Sequence, residues 1–217
     1  MLFRSTGTSA CPYYYGHGNW APIMGVGYGK PMVQWSKGEY VNANNTQDDF
    51  VVAQSNGLPL RADDHGDTAA TATPLDPASI AATGAITTQA DVDVFTVSVG
   101  AGSATFTATP ALAAPDLDIA LTLRDATGAV VATADPAFGA TGYDTPTGLG
   151  ASVSATLAAG TYTISVEGVG YGTASTAYSD YASLGNYSLT GTAVVGGTNQ
   201  PPVAKADRKS TRLNSSH

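Results

Sequence analysis

The chain has 217 residues, of which 43% are hydrophobic and only 12% charged, and its formal net charge is −8. This composition indicates a globular protein rather than a disordered one, and its acidity argues against nucleic acid or an anionic membrane as a partner. No apolar run approaches the ~20 residues that a membrane-spanning helix needs. Frequent β-branched residues and 25 glycines favour strands and turns over helices.

The first part of the chain is rich in glycine and aromatic residues, and Met24 lies at its centre, between Pro22 and Gly25. Residues 14–50 resemble the Met-turn and the segment after it in secreted bacterial zinc metalloproteases of the metzincin type. In that family a methionine lies beneath the zinc-binding histidines, and the resemblance implies this role for Met24. A glycine-rich loop with a buried methionine is the plainer alternative for an isolated Met-Gly pair.

The zinc-binding signature of that family, His-Glu-x-x-His-x-x-Gly-x-x-His, is missing. The three histidines, His17, His65 and His217, are tens of residues apart and none has a glutamate beside it. We therefore expect the zinc site to belong to a longer parent protein, whose upstream catalytic domain would be the partner of this chain. The chain alone is expected to have no peptidase activity. His17 could be a ligand, but a supporting or solvated role is the favoured interpretation.

A short helix is predicted from Thr46, through residues 50–52, to a glycine cap at Gly57, because a hydroxyl residue stands three positions before a carboxylate. We place a domain boundary near Leu58. Residues 1–58 are interpreted as the remnant of an α+β metalloprotease domain. Because that remnant lacks the sheet and zinc helix on which it should pack, we expect limited proteolysis to trim it.

Residues 59–198 contain short segments in which apolar and polar residues alternate, as in strands with one buried face. These segments are 92–99, 105–108, 117–123, the strand–turn–strand 124–131, 153–157, 162–166 and 186–190. Residues 138–148 are predicted to be a loop insertion. Seven or eight short strands separated by Gly, Asp and Pro turns predict a mainly β fold, an antiparallel β-sandwich.

The order of motifs in this unit resembles the bacterial pre-peptidase C-terminal domain, a jelly-roll-like β-sandwich attached behind secreted proteases. The matching motifs are residues 63–68, 91–95, 121–128, 157–162 and 185–189. The resemblance implies an accessory domain of a secreted protein that aids secretion, folding or substrate contact. We expect the signal peptide to lie outside this sequence.

Five aspartates stand at the start of this unit: Asp63, Asp64, Asp67, Asp91 and Asp93. Their arrangement resembles the collagen-binding sandwich of clostridial collagenases, which binds calcium between an acidic segment and an Asp-x-Asp at the start of a strand. The resemblance implies calcium as a cofactor here, with these carboxylates as ligands. This chain has aspartates and a histidine where the collagenase pattern has glutamates, and a solvated acidic patch is the alternative.

Four tyrosines, Tyr171, Tyr178, Tyr181 and Tyr187, lie in or near a polar loop region. They could form a platform for sugars or peptides, but ordinary cover for the end of a sandwich is the favoured interpretation. A different function for the whole chain is a stand-alone extracellular module that binds a polysaccharide or a protein.

Residues 199–206 resemble a linker to a further module, and residues 207–217 resemble a translated sequencing adapter and are interpreted as an artefact. The single cysteine, Cys11, permits no disulfide within the chain.

Overall fold

The computed structural model describes residues 13–196, so Cys11, the predicted linker and the adapter-like tail lie outside the described residues. The elements run in the order β1 Trp20–Pro22, β2 Met32–Gln34, α1 Asp49–Ser55, β3 Thr73–Pro74, β4 Ala81–Ile86, β5 Val92–Val99, β6 Gly102–Pro110, β7 Ile119–Asp125, β8 Val130–Ala134, β9 Gly139–Gly142, β10 Thr145–Thr147, β11 Ala151–Leu157, β12 Gly160–Gly168, a 3₁₀ turn Asp180–Ala182, and β13 Gly185–Thr192. Within these described residues, no helix is long and apolar enough to cross a membrane.

Two sheets form a β-sandwich. One has the strand order β11-β6-β13-β4, and the other has the order β3-β5-β12-β7-β8. All pairs are antiparallel except β3 with β5. Phe106 and Leu189 of the first sheet share one buried cluster with Phe95, Leu123 and Ile164 of the second. The prediction of a mainly β, antiparallel sandwich is therefore confirmed.

The strand alternation read from the sequence decides which side chains fill this core. In β5, Phe95, Val97 and Val99 are at most 4% exposed, while Ser98 between the last two points outward. Ile164 of β12 pairs with Phe95 on one side and with Leu123 of β7 on the other. Because successive side chains in a strand face opposite sides, this register places a continuous apolar layer against the opposite sheet.

Two parts of the sandwich differ from the sequence interpretation. Residues 138–148, predicted to be a loop insertion, contain the small hairpin β9–β10. Strand β4 was not predicted, because its Ala-Ala-Thr-Gly-Ala-Ile sequence does not alternate apolar with polar residues, and only Thr83 and Ile86 are of the β-branched or aromatic kinds typical of strands. Its pairing with β13 makes it a strand.

The N-terminal segment, residues 13–57, contains the parallel pair β1–β2 and the helix α1. The predicted helix is present, but its start was placed too early. Asp48, not Thr46, is the N-cap, and its carboxylate accepts a hydrogen bond from Val51 N at 3.0 Å. The C-terminal end is as predicted, because Gly57 has a φ of +89° just after the cap residue.

This segment packs on the sandwich, contrary to the expectation that it has lost its packing surface. Trp20, Met32 and Tyr40 form a buried cluster with Phe138 and Tyr178 of the sandwich. The reason given for expecting proteolysis to trim this segment, the loss of its packing surface, is therefore wrong. The boundary near Leu58 remains a prediction, and residues 54–64 around it are exposed.

Candidate metal centre

The five aspartates named from the sequence meet where the loop before β3 passes the turn between β4 and β5. They lie in two groups, and within each group the possible ligand atoms are all within 4.8 Å of one another. The groups are Asp63, Asp67 and Asp91, and Asp64, His65 and Asp93. The sequence predicted these five aspartates as possible ligands. It did not predict that they form two groups, or that His65 belongs to one of the groups.

Asp91 closes the turn between β4 and β5. Its Oδ2 accepts hydrogen bonds from Thr87 N at 2.6 Å and from Thr87 Oγ1 at 2.8 Å. The residue is 6% exposed, and its Oδ1 is buried without a hydrogen-bond partner among the described residues. One oxygen therefore orients the carboxylate while the other remains available.

Asp93 lies two residues further along, inside β5, and is fully buried. Its Oδ2 accepts a hydrogen bond from the Tyr187 hydroxyl of β13 at 2.6 Å, and its Oδ1 has no such partner in the described part of the chain. Burial raises the pKa of Asp93 to about 6. Gly84 is required beside this pair, because a Cβ there would lie 2.4 Å from the Tyr187 hydroxyl oxygen.

The loop before β3 is tied to the sandwich by backbone hydrogen bonds. Val94 N donates to Gly66 O at 3.1 Å, and Ala85 N donates to Asp64 Oδ1 at 3.1 Å. Asp63 Oδ1 accepts from His65 N at 3.0 Å, which turns the loop at that point. These contacts bring the exposed Asp63 and Asp67 to the buried Asp91.

His65 is held on both sides of its ring. Its Nε2 lies 3.0 Å from the Thr83 carbonyl oxygen, which can only accept, so this nitrogen carries the hydrogen. Its Nδ1 lies 2.8 Å from Thr73 Oγ1, and its ring packs 4.6 Å from the ring of Phe95. Only Nδ1 could bind a metal ion, and Thr73 would first have to turn away.

Buried carboxylate oxygens without partners are costly, and a bound cation would compensate them. Asp91 and Asp93 each have one such oxygen, and each residue belongs to a group of possible metal ligands. Asp118 has one as well, but it belongs to neither group, so an unpartnered oxygen alone does not indicate a metal. The group of Asp63, Asp67 and Asp91 fits calcium better than the other group does, because all its ligand atoms are oxygens.

Met24 lies in the tight turn that its Pro-Ile-Met-Gly sequence suggested. Gly25 N donates to Pro22 O at 2.9 Å across this turn, and Met24 is half-buried. The fully buried methionine of the segment is instead Met32 on β2. The role of Met24 beneath a zinc site stays a prediction.

His17 links the N-terminal segment to the sandwich. Its Nδ1 lies 2.7 Å from the hydroxyl of Tyr14, and its Nε2 lies 2.6 Å from the carbonyl oxygen of Ala177, to which it donates. This geometry agrees with a supporting role for His17 rather than a ligand role.

The four tyrosines do not form a platform. Tyr178, Tyr181 and Tyr187 are at most 4% exposed, and only Tyr171 is open to solvent. The three buried hydroxyls each donate to a carboxylate, Tyr178 to Asp118, Tyr181 to Asp48 and Tyr187 to Asp93, at 2.6–2.7 Å. Burial is the main cause that raises the pKa of all three tyrosines. They cover and tether the sandwich, as the favoured interpretation held.

Asp116 and Asp118 form a second Asp-x-Asp at the start of a strand, and neither was predicted as a site residue from the sequence. Asp118 accepts from Tyr178 as Asp93 accepts from Tyr187, and burial raises the pKa of Asp118 to about 6. The repeated Asp-x-Asp pattern before β5 and β7 was the signal that could have found them.

No protein-family model matches the sequence, and the curated proteins contain no match to it. Among solved structures, the chain is similar to the pre-peptidase C-terminal domain of a collagenase from Bacillus anthracis, with 13% identity and a TM-score of 0.36, over 61% of this chain and 99% of that one. It is also similar to PliG from Aeromonas hydrophila, a periplasmic inhibitor of g-type lysozyme, with 15% identity and a TM-score of 0.37, over 56% of this chain and 94% of that one. Likenesses this distant carry no functional conclusion for the chain.

Proposed function

We propose that the chain is the C-terminal part of an exported zinc endopeptidase, and that its β-sandwich is a calcium-binding accessory domain of the pre-peptidase C-terminal kind. The observation that carries the proposal is the proximity of Asp63 and Asp67 to the buried carboxylate of Asp91, of which one oxygen has no hydrogen-bond partner among the described residues. Calcium prefers several carboxylate oxygens on a flexible backbone. The motif order of residues 62–195 and the Met-turn resemblance of residues 14–50 support the accessory role and the protease parent.

Export agrees with the kind of metal site proposed. Two of its three carboxylates, Asp63 and Asp67, are exposed and leave part of the coordination to water. Such a site would be weak, in the ~10⁻⁴–10⁻³ M range of extracellular calcium modules. Calcium at that affinity is bound outside the cell rather than in the cytosol.

The sandwich would also support the active site of the parent. The segment that carries Met24 is fixed to the sandwich through Trp20 and Met32 and through the hydrogen bond from His17 to Ala177. If Met24 lies beneath the zinc ligands of an upstream catalytic domain, the sandwich fixes the position of Met24 relative to those ligands. Reading the gene upstream tests this: a His-Glu-x-x-His motif in the same frame supports the parent, and a stop codon without one contradicts it.

Calcium should raise the melting temperature of the purified chain. At about ten times its Kd, calcium would stabilise the fold by about 1.4 kcal/mol, which is about 3–6 °C for a chain of this size. Thermal melts followed by circular dichroism, with calcium and with a chelator, measure the shift. Magnesium at the same concentration controls for ionic strength.

The matched variants are Asp63→Asn with Asp67→Asn, which removes two exposed ligands, and Asp144→Asn, which changes an exposed aspartate outside the group. The first variant should lose the calcium shift and the second should keep it. A melt that calcium leaves unchanged would mean that these aspartates form only an acidic patch, and a shift that persists in the double variant would mean that calcium does not bind at Asp63 and Asp67.

The chain alone should show no zinc-dependent peptidase activity. Zinc hydrolysis needs three protein ligands and a general base, and the sequence has only three histidines, far apart and without an adjacent glutamate. Casein hydrolysis by the purified chain, assayed with added zinc, should equal the background. Chelator-sensitive hydrolysis that stays with the chain through purification would contradict this prediction.

A further inference from the structure

A cavity of about 230 Å³ opens between the N-terminal segment and the sandwich. Trp35 and Phe50 line it from the segment, Arg61 from the connecting stretch, and Asp116 and Asn186 from the sandwich. It thus combines an aromatic wall with an acceptor, a cation and an amide. None of these residues belongs to the two groups of possible metal ligands.

The aromatic wall is held firmly. The rings of Trp35 and Phe50 lie 6.0 Å apart and are inclined by 52°, and Phe50 packs 4.9 Å from Tyr181. The hydroxyl of Tyr181 donates to Asp48 at 2.7 Å and accepts from Phe50 N at 3.3 Å. The Tyr181 ring, which packs against Phe50, is therefore fixed by the hydrogen bonds of its hydroxyl. The aromatic wall of Trp35 and Phe50 is thus in place before a ligand binds.

The Asp116 side chain contributes an acceptor that no residue of the described part of the chain uses. Its carboxylate has no hydrogen bond or ion pair among the described residues, and burial alone raises its pKa to about 7. Its main-chain carbonyl accepts from Gln34 Nε2 at 2.7 Å, which holds the residue at the cavity. A carboxylate kept partly desolvated without a partner gains from a ligand that donates hydrogen bonds.

Arg61 and Asn186 supply donors on the exposed side of the cavity. Arg61 donates from one guanidinium nitrogen to Asn186 Oδ1, which orients both side chains. The amide nitrogen of Asn186 and the other guanidinium N–H groups remain available as donors. The polar lining therefore offers acceptors at Asp116 and donors at Arg61 and Asn186.

This combination selects the chemistry of the ligand. A cationic ligand would meet Arg61, and an anionic ligand would meet Asp116. A neutral ring with several hydroxyl groups can donate to one, accept from the other and lay its C–H face against an aromatic ring. We propose that this cavity binds one pyranose ring of a neutral carbohydrate, with Trp35 as the stacking face and Asp116 as the main acceptor.

The size of the cavity agrees with one ring. Pockets that enclose drug-sized ligands measure ~300–1,000 Å³, and this cavity is smaller. One sugar of an oligosaccharide would enter it, and its neighbours would lie in solvent. The proposal does not depend on calcium or on the protease parent, because the cavity needs only the packing of the segment on the sandwich.

Tryptophan fluorescence of the full chain tests the proposal. The chain has two tryptophans, and Trp20 is only 2% exposed, so a ligand-induced change reports on Trp35. The probes are the tetrasaccharides of β-1,4-linked glucose, β-1,4-linked N-acetylglucosamine and α-1,4-linked glucose at millimolar concentration. At least one should change the emission saturably and give a matching Kd by calorimetry.

Variants of the wall and of the acceptor separate the cavity from the rest of the surface. Asp116→Asn and Trp35→Ala should each raise the Kd by about tenfold or more, which is about 1.4 kcal/mol, and Trp35→Phe should retain part of the affinity. Tyr28→Ala and Asp144→Asn, which change an exposed aromatic and an exposed acid elsewhere, should bind as the unchanged chain does.

Three results would overturn the proposal. One is that none of the three tetrasaccharides binds. Another is binding that persists at full strength in Asp116→Asn, whose small change preserves the side-chain shape even if Trp35→Ala fails to fold. The third is binding of tetralysine, but of no sugar, in a manner that depends on Asp116, because this would assign the cavity to a cationic ligand.

Discussion

Replacing Met32 with alanine should lower the free energy of unfolding by about 2–5 kcal/mol, the usual range for truncating a buried methionine. Met32 is fully buried between the N-terminal segment and the sandwich, in the cluster that contains Trp20 and Tyr178. Its removal leaves a cavity that these large rings cannot easily collapse to fill. Met24→Ala is the matched control and should cost far less, because Met24 is half-buried in a turn outside this cluster.

The measurement also tests whether the segment and the sandwich unfold together. Both tryptophans, Trp20 and Trp35, lie in the segment, whereas circular dichroism near 217 nm reports mainly on the strands of the sandwich. Urea unfolding followed by the two signals should give coincident transitions, and Met32→Ala should move both. A fluorescence transition that precedes an unmoved circular dichroism transition would show that the segment is not part of the cooperative unit.

Gln34→Leu should destabilise the chain by about 3–5 kcal/mol, because it leaves several buried polar groups without partners. The Gln34 side chain is 2% exposed and joins three groups. Its Oε1 accepts from Trp20 Nε1 at 3.0 Å, and its Nε2 donates to the carbonyl oxygens of Asp116 at 2.7 Å and Ala182 at 3.1 Å. Leucine has a similar volume, so the loss would reflect hydrogen bonding rather than a cavity.

The matched control for this substitution is Gln54→Leu. Gln54 is exposed on α1, and its Nε2 donates to the carbonyl oxygen of Phe50 in the same helix and to no other described residue. Its replacement should change stability by about 0.5 kcal/mol or less. Equal urea midpoints for the two variants would mean that Gln34 does not join the segment to the sandwich.

The strands that carry most of the core could be predicted from local pattern alone. β5, β7 and β12 have apolar residues at every second position, because one face of each packs against the opposite sheet. β4 and β9–β10 lack this pattern. Their strand conformation depends on hydrogen bonds to a partner strand, which a local reading of sequence does not contain.

The candidate site was predicted in part. The acidic start of the unit and the Asp-x-Asp before β5 suggested Asp63, Asp64, Asp67, Asp91 and Asp93, and each of them belongs to one of the two groups of possible metal ligands. The sequence could not show which aspartate has an unpartnered oxygen, since this depends on hydrogen bonds from Thr87 and Tyr187. The cavity proposed to bind a carbohydrate was not predicted, because Trp35, Arg61 and Asn186 are far apart in sequence.

By itself, the sequence determined that the chain forms a β-sandwich and that five aspartates lie in the first part of this unit, because both properties follow from the spacing of residue types. Only the tertiary structure decided that the N-terminal segment packs on this sandwich. That packing depends on long-range contacts of Met32 and Gln34 with residues more than eighty positions away, such as Asp116 and Tyr178. Whether two such surfaces pack together depends on their complementary shapes and on the hydrogen bonds formed between them. The local periodicity of the sequence contains neither.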